Sequence, residues 1–126
     1  MPGKTMKIGI ISWQAYKART IAIARGELEP RPTDPKVWMP SIETAAKVLS
    51  EQNIALLKTI KDRKPGSVTE LAVLTNRAQG NVSRTLKTMC NYGIVRLEKT
   101  GGRSKQPIAM ATEFQLELRS FTGDLP

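Results

Sequence analysis

The spacing of apolar side chains changes along this chain, and each change marks an element. Met6 to Ile11 is a short apolar run that predicts a strand, led by Ile8 and Ile10. From Ser12, which suits an N-cap, the apolar positions Trp13, Tyr16, Thr20, Ile21 and Ala24 recur every three or four residues. That spacing predicts a helix ending near Arg25, with Gly26 as its stop. Residues 27 to 40 lose all periodicity and hold Pro30, Pro32, Pro35 and Pro40, so they read as an extended arm or linker.

Helical spacing then resumes. Ser41 caps one helix with Ala45, Val48 and Leu49 inward, and Ser50 caps another over 51–63 with Ile54, Leu57 and Ile60 as its core stripe. Lys64-Pro65-Gly66 ends it. Ser67-Val68-Thr69-Glu70 fits a capping box opening a helix over 68–75, which buries Leu71, Ala72 and Leu74. Asn76 stands where a tight turn needs a residue that tolerates positive φ. A further helix runs from 78 or 79 to 92, with Val82, Leu86, Met89 and Cys90 on one face. Gly93 closes it. Ile94 to Glu98 reads as a strand, Lys99 to Lys105 as a hairpin tip, Ile108 to Ala111 as its return, and Phe114, Leu116 and Leu118 as a last alternating strand. The predicted class is mainly α with a small β wing, an α+β chain. Residues 1–40 read as an N-terminal strand-helix arm for dimerisation or partner binding. Residues 41–119 read as the main domain, and 120–126 as a tail.

Charge sharpens this picture. The net charge is +9, which suits a polyanionic partner. Residues 77–105 hold seven basic side chains against Glu98 alone, and residues 1–26 hold five with no acid. A solvated basic surface would also keep the protein dispersed, so the order of elements has to decide. With Val82, Leu86 and Met89 inward, the last helix turns out Gln79, Gly80, Asn81, Ser83, Arg84, Lys87 and Thr88, just after Arg77. The major groove of B-DNA admits one such helix, where Asn and Gln suit adenine, Arg suits guanine, and Ser and Thr suit phosphates or bases. An ordinary surface helix could show the same residues. The strand and basic hairpin that follow favour DNA: two glycines, Arg103, Ser104 and Lys105 make a tip that reaches phosphates or a minor groove.

Composition excludes other chemistry. There is one cysteine and no histidine, so Cys/His zinc sites and histidine-activated nucleophiles are ruled out. No metal, cofactor or catalytic constellation is expected. Cys90 falls on the inward face and reads as structural. No apolar run approaches the roughly 18–20 residues of a membrane helix, and Ile8 to Ile11 is too short for a signal peptide. The chain is expected to be cytoplasmic, with no membrane partner. Trp13, Tyr16, Ile21 and Trp38, with Ile8 and Ile10, are the candidate dimer or partner surface, because 40 residues hardly build a separate core.

From Leu71 to Val95 the chain resembles winged helix-turn-helix regulators of the MarR and ArsR type, on Asn81-Val82-Ser83-Arg84-Thr85-Leu86-Lys87 and Tyr92-Gly93-Ile94-Val95. Nearly the whole chain is similar to a group of small bacterial and archaeal DNA-binding proteins. The likeness rests on the segment Trp13 to Gly26, the Pro-rich stretch and Val48-Leu49-Ser50-Glu51-Gln52-Asn53. Gly80 and Cys90 depart from the common pattern. The resemblance implies a homodimeric transcriptional regulator, a repressor of duplex DNA, and in some members an antitoxin bound to a cognate toxin. The rival reading is a protein-interaction winged helix whose basic face takes an acidic partner without sequence-specific DNA binding.

Overall fold

The strand pairing shows that the N-terminal segment is woven into the rest of the molecule. The computed structural model describes residues 5–119; the expected leader before Thr5 and the tail 120–126 lie outside the described residues. In chain order the elements are β1 (Thr5–Ile10), α1 (Trp13–Ala24), β2 (Val37–Met39), α2 (Ile42–Val48), α3 (Glu51–Arg63), α4 (Val68–Thr75), α5 (Gln79–Asn91), β3 (Val95–Lys99), β4 (Lys105–Ala109) and β5 (Glu113–Leu118). The class is α+β, with helices outnumbering the small sheets.

Two small sheets form. One is three-stranded, in the order β2-β1-β5, and both pairings are parallel. The other is the antiparallel hairpin β3-β4, in register from Val95 opposite Ala109 to Lys99 opposite Lys105. β1 is thus the middle strand of its sheet, level with Val37 to Met39 on one side and with Glu113 to Leu118 on the other. This corrects the expected boundary at residue 40, which would cut through the sheet. It also corrects Ile8 and Ile10 as partner-facing residues. Both are buried, in one core with Met39, Leu56, Leu57, Leu71, Leu86, Met89 and Ile94. A strand with both edges paired has no edge left to lend.

The Pro-rich segment is pinned rather than loose. Val37–Met39 forms β2, and Asp34 holds three partners. Its carboxylate accepts from the Arg31 amide at 2.9 Å, from Arg19 of α1 at 3.1 Å and from Arg119 beyond β5 at 3.1 Å. Beside it, Trp38 lies flat over Gly9, where an added methyl would overlap the indole ring. Arg19 and Arg119 stack on the same ring, 4.8 and 5.8 Å from its centroid.

Local signals account for the helices. Serines 12, 41, 50 and 67 each accept a first-turn amide, as N-caps do. The capping box is altered at one bond: the Glu70 amide donates to Ser67 Oγ at 3.0 Å, but the Glu70 carboxylate accepts from the Gly66 amide at 2.6 Å. In α3 the buried residues are Leu56, Leu57 and Ile60, and Ile54 lies at the core's edge. Asn76 adopts φ 54°, as the turn requires, and Lys64 does the same at φ 47°. β4 starts earlier than the sequence suggests because Pro107 lies within it. β4 is an edge strand, where a missing amide is tolerated.

Candidate nucleic-acid interface

α4 and α5 are joined by three residues, Asn76, Arg77 and Ala78. The turn is tight because Asn76 takes the left-handed conformation that ends α4, and its amide donates back to Val73. Leu71 and Ala72 of α4, and Val82, Leu86 and Met89 of α5, are buried together. Packing that face turns the rest of α5 outward. Gln79, Gly80, Asn81, Ser83, Arg84, Lys87 and Thr88 are all exposed. The face carries no carboxylate from 77 to 97.

The start of α5 differs from the other helix starts. Its N-cap is Ala78, and no side chain satisfies the first-turn amides. Those amides and the positive end of the helix dipole are open to an anion. In the sequence only the lack of a serine hints at this.

Arg77 stands apart from the exposed group. Its side chain is half-buried and all three of its guanidinium nitrogens donate. Nε donates to Asn81 Oδ1 at 3.0 Å, Nη2 donates to the same oxygen and to Thr85 Oγ1 at 3.2 Å, and Nη1 donates to Asn53 Oδ1 at 3.2 Å. Asn53 in turn donates through Nδ2 to the Lys47 and Val48 carbonyls, at 3.2 and 3.1 Å. Arg77 therefore ties the end of α2 and the start of α3 to the first turns of α5. Sequence reasoning missed Asn53, whose role depends on a contact 24 residues away.

The hairpin places Arg103, Ser104 and Lys105 at an exposed tip. Gly101 and Gly102 take φ 94° and 66°, which only glycine adopts without strain. Arg96 pairs with Glu98 at 2.8 Å, whereas Lys99, Arg103 and Lys105, toward the tip, have no carboxylate partner among the described residues. Cys90 is half-buried beside this hairpin. Burial pushes its thiol above the ordinary range, and the charge of Lys105 works against that. It is a packed thiol rather than a reactive thiolate.

Of the remaining partner candidates, Trp13 is 68% exposed and Ile21 is 42% exposed. Trp13 stacks on Tyr16 with ring centroids 6.1 Å apart, and Tyr16 leans on Trp38 at 6.5 Å. These rings line a cleft of about 400 Å³ that also reaches Asn91 and Tyr92 at the end of α5. Among the described residues no cluster of carboxylate and thiol ligands could hold a metal, and no helix is long and apolar enough to cross a membrane.

The family model HVO_A0114 matches residues 48–116. The chain belongs to the HVO_A0114 family. The matched stretch runs from the last residue of α2 into β5, so it contains all of α3, α4, α5 and the hairpin. It leaves out β1, the strand on which β5 pairs. No curated protein matches the chain.

Proposed function

We propose that this member of the HVO_A0114 family is a winged helix-turn-helix transcriptional regulator that binds duplex DNA in a sequence-specific way as a homodimer. In this reading α4 and α5 are the helix-turn-helix, α5 enters the major groove, and the β3-β4 hairpin is the wing. The observation that carries it is the exposed, acid-free face of α5, from Gln79 to Thr88, on a helix whose first amides no side chain caps. A protein that must approach phosphates gains from both features. The glycine-tipped hairpin with Arg103 and Lys105 supports the same reading. The protein acts by binding, without a catalytic site or cofactor, in the cytoplasm. Its resemblance to small DNA-binding proteins gives the finer form: an autoregulating repressor, with a cognate toxin as protein partner.

The test is fluorescence anisotropy on the chain's own promoter and on random duplex at one fixed salt concentration. Arg84→Ala should weaken promoter binding by roughly 1–3 kcal/mol, the usual worth of a direct base contact, and random binding much less. Equal losses on both duplexes would remove Arg84 from base reading. Equal affinity of the unaltered protein for both, with displacement by an acidic protein, would favour the protein-interaction alternative.

A further inference from the structure

The sequence placed self-association on the N-terminal strand-helix arm, residues 1–40. The structure buries that strand and leaves another edge open. The Arg119 amide donates to the Ile10 carbonyl at 2.9 Å, and Ile10 stands level with Leu118 in the parallel register. Backbone groups of successive strand residues point to alternate sides. Glu113, Gln115, Glu117 and Arg119 therefore aim their amides and carbonyls at β1, whereas Phe114, Leu116 and Leu118 aim theirs away from it. Among the described residues no strand flanks that outer edge.

Exposed edges are usually blunted by lysine, proline or a bulge. β5 reads Glu-Phe-Gln-Leu-Glu-Leu, with no lysine or proline, and its two glutamates stand on the face opposite Phe114, Leu116 and Leu118. Its apolar side chains share a sheet face with Met6, Ile8 and Ile10, their partners in register. Ile8 and Ile10 are buried, yet Leu116 is 47% exposed and Leu118 is 67% exposed. The apolar face thus extends past what the described residues cover.

We propose that the free edge of β5 pairs antiparallel with β5 of a second copy of this chain, about a two-fold axis through Leu116. A strand edge meeting its own copy is self-complementary, as a two-fold interface must be. The register follows from backbone direction and charge. Outward-pointing residues must face each other, which leaves three central registers. Centring on Gln115 sets Glu113 against Glu117 of the second copy, and centring on Glu117 sets that carboxylate against itself. Centring on Leu116 sets Glu113 against Arg119 of the second copy and Phe114 against Leu118. Opposite charges across a strand pair stabilise it and like charges oppose it. Arg119 already serves Glu117 and Asp34 through Nε and Nη2, but a guanidinium has five donors. The inference supplies the dimer that the proposed regulator calls for, but its test uses no DNA, so either can fail alone.

Sedimentation equilibrium of the full chain should give a dimer. Leu116→Lys should weaken it tenfold or more with the circular dichroism spectrum unchanged, since the site is exposed in the single chain; its melting temperature should lose the concentration dependence that a dimer confers. In a Cys90→Ala background, Leu116→Cys should oxidise to a covalent dimer, because position 116 meets itself about 5.5 Å away across a hydrogen-bonded pair, within disulfide reach. Leu118→Cys should not, because its copy lies four residues off register, about 13 Å away. A chain that stays monomeric, a dimer untouched by Leu116→Lys, or equal cross-linking at 116 and 118 would each overturn the proposal.

Discussion

Gly80 separates the demands of folding from those of the proposed DNA binding. It is the second residue of α5, exposed, and a methyl added there would meet Arg84 Nη1 at 3.7 Å, an ordinary contact. Its φ is not in the left-handed region. Nothing in the free protein therefore calls for glycine. Glycine in a helix is roughly 0.5–1 kcal/mol less favourable than alanine. Because Gly80 lies in the first turn, Gly80→Ala should raise stability by at most about that amount, a melting shift of up to about 4 °C for a chain of this size. If the start of α5 meets DNA, the bare backbone is what permits close approach, and a methyl takes up the gap. Binding to the promoter should then weaken by about tenfold, or 1.4 kcal/mol. Calorimetry and anisotropy on one preparation give both numbers. Opposite signs are the expected result. Tighter or unchanged DNA binding in the stabilised variant would show that α5 does not approach DNA at Gly80.

Three other outcomes follow from particular contacts. Arg103→Ala with Lys105→Ala should flatten the dependence of log affinity on log salt by about 0.9 per lost phosphate contact, and an unchanged slope would take the hairpin out of the interface. Gly9→Ala should cost about 1–3 kcal/mol in denaturant unfolding, because the methyl must displace the Trp38 ring from β1; an unaltered midpoint would refute that packing. Asp34 is held below the ordinary aspartate range, first by the Arg31 amide and then by Arg119 and Arg19, with burial opposing them. Its folded form thus favours the carboxylate more than the unfolded chain does. That stabilisation is complete above the unfolded aspartate range and is lost as pH falls through the folded one. Asp34→Asn should destabilise the protein at about pH 7 and much less at about pH 3, as read by urea midpoints. A gap that does not narrow in acid would contradict the assignment.

How much was legible depended on the distance over which each signal acts. Helix caps, the Asn76 turn, the Gly93 stop and the glycine hairpin are decided within a few residues, and all were readable. The exposed face of α5 followed from the spacing of Val82, Leu86 and Met89 alone. The partner of β5 was not readable. Phe114, Leu116 and Leu118 announce a strand by alternation, but nothing nearby says that its neighbour is Thr5–Ile10, more than 100 residues earlier. The same gap made the N-terminal 40 residues look detachable. β1 is short and its apolar run fits a dimer arm as well as a central strand; only the parallel pairing on both sides distinguishes them. The Pro-rich segment misled for a related reason. Prolines forbid helix interiors, but they do not forbid a three-residue strand or an aspartate that gathers two distant arginines.

The Arg77 fork changes what α5 can offer to a base. A guanidinium only donates, so Asn81 must turn its carbonyl oxygen inward, and Nε and Nη2 occupy both lone pairs. What Asn81 then presents outward is its amide nitrogen, a donor. Bidentate pairing with adenine needs an acceptor as well, so Asn81 as held suits acceptors such as guanine N7 and O6 or thymine O4 instead. Arg77 acts here as a positioning residue, and the choice it enforces reaches back through Asn53 to the end of α2. In the proposed complex with DNA, specificity at this position would be built partly outside α5. Asn81 looks free in the sequence of α5, yet it is restricted by Arg77 in the turn before that helix, which Asn53 of α3 holds in turn.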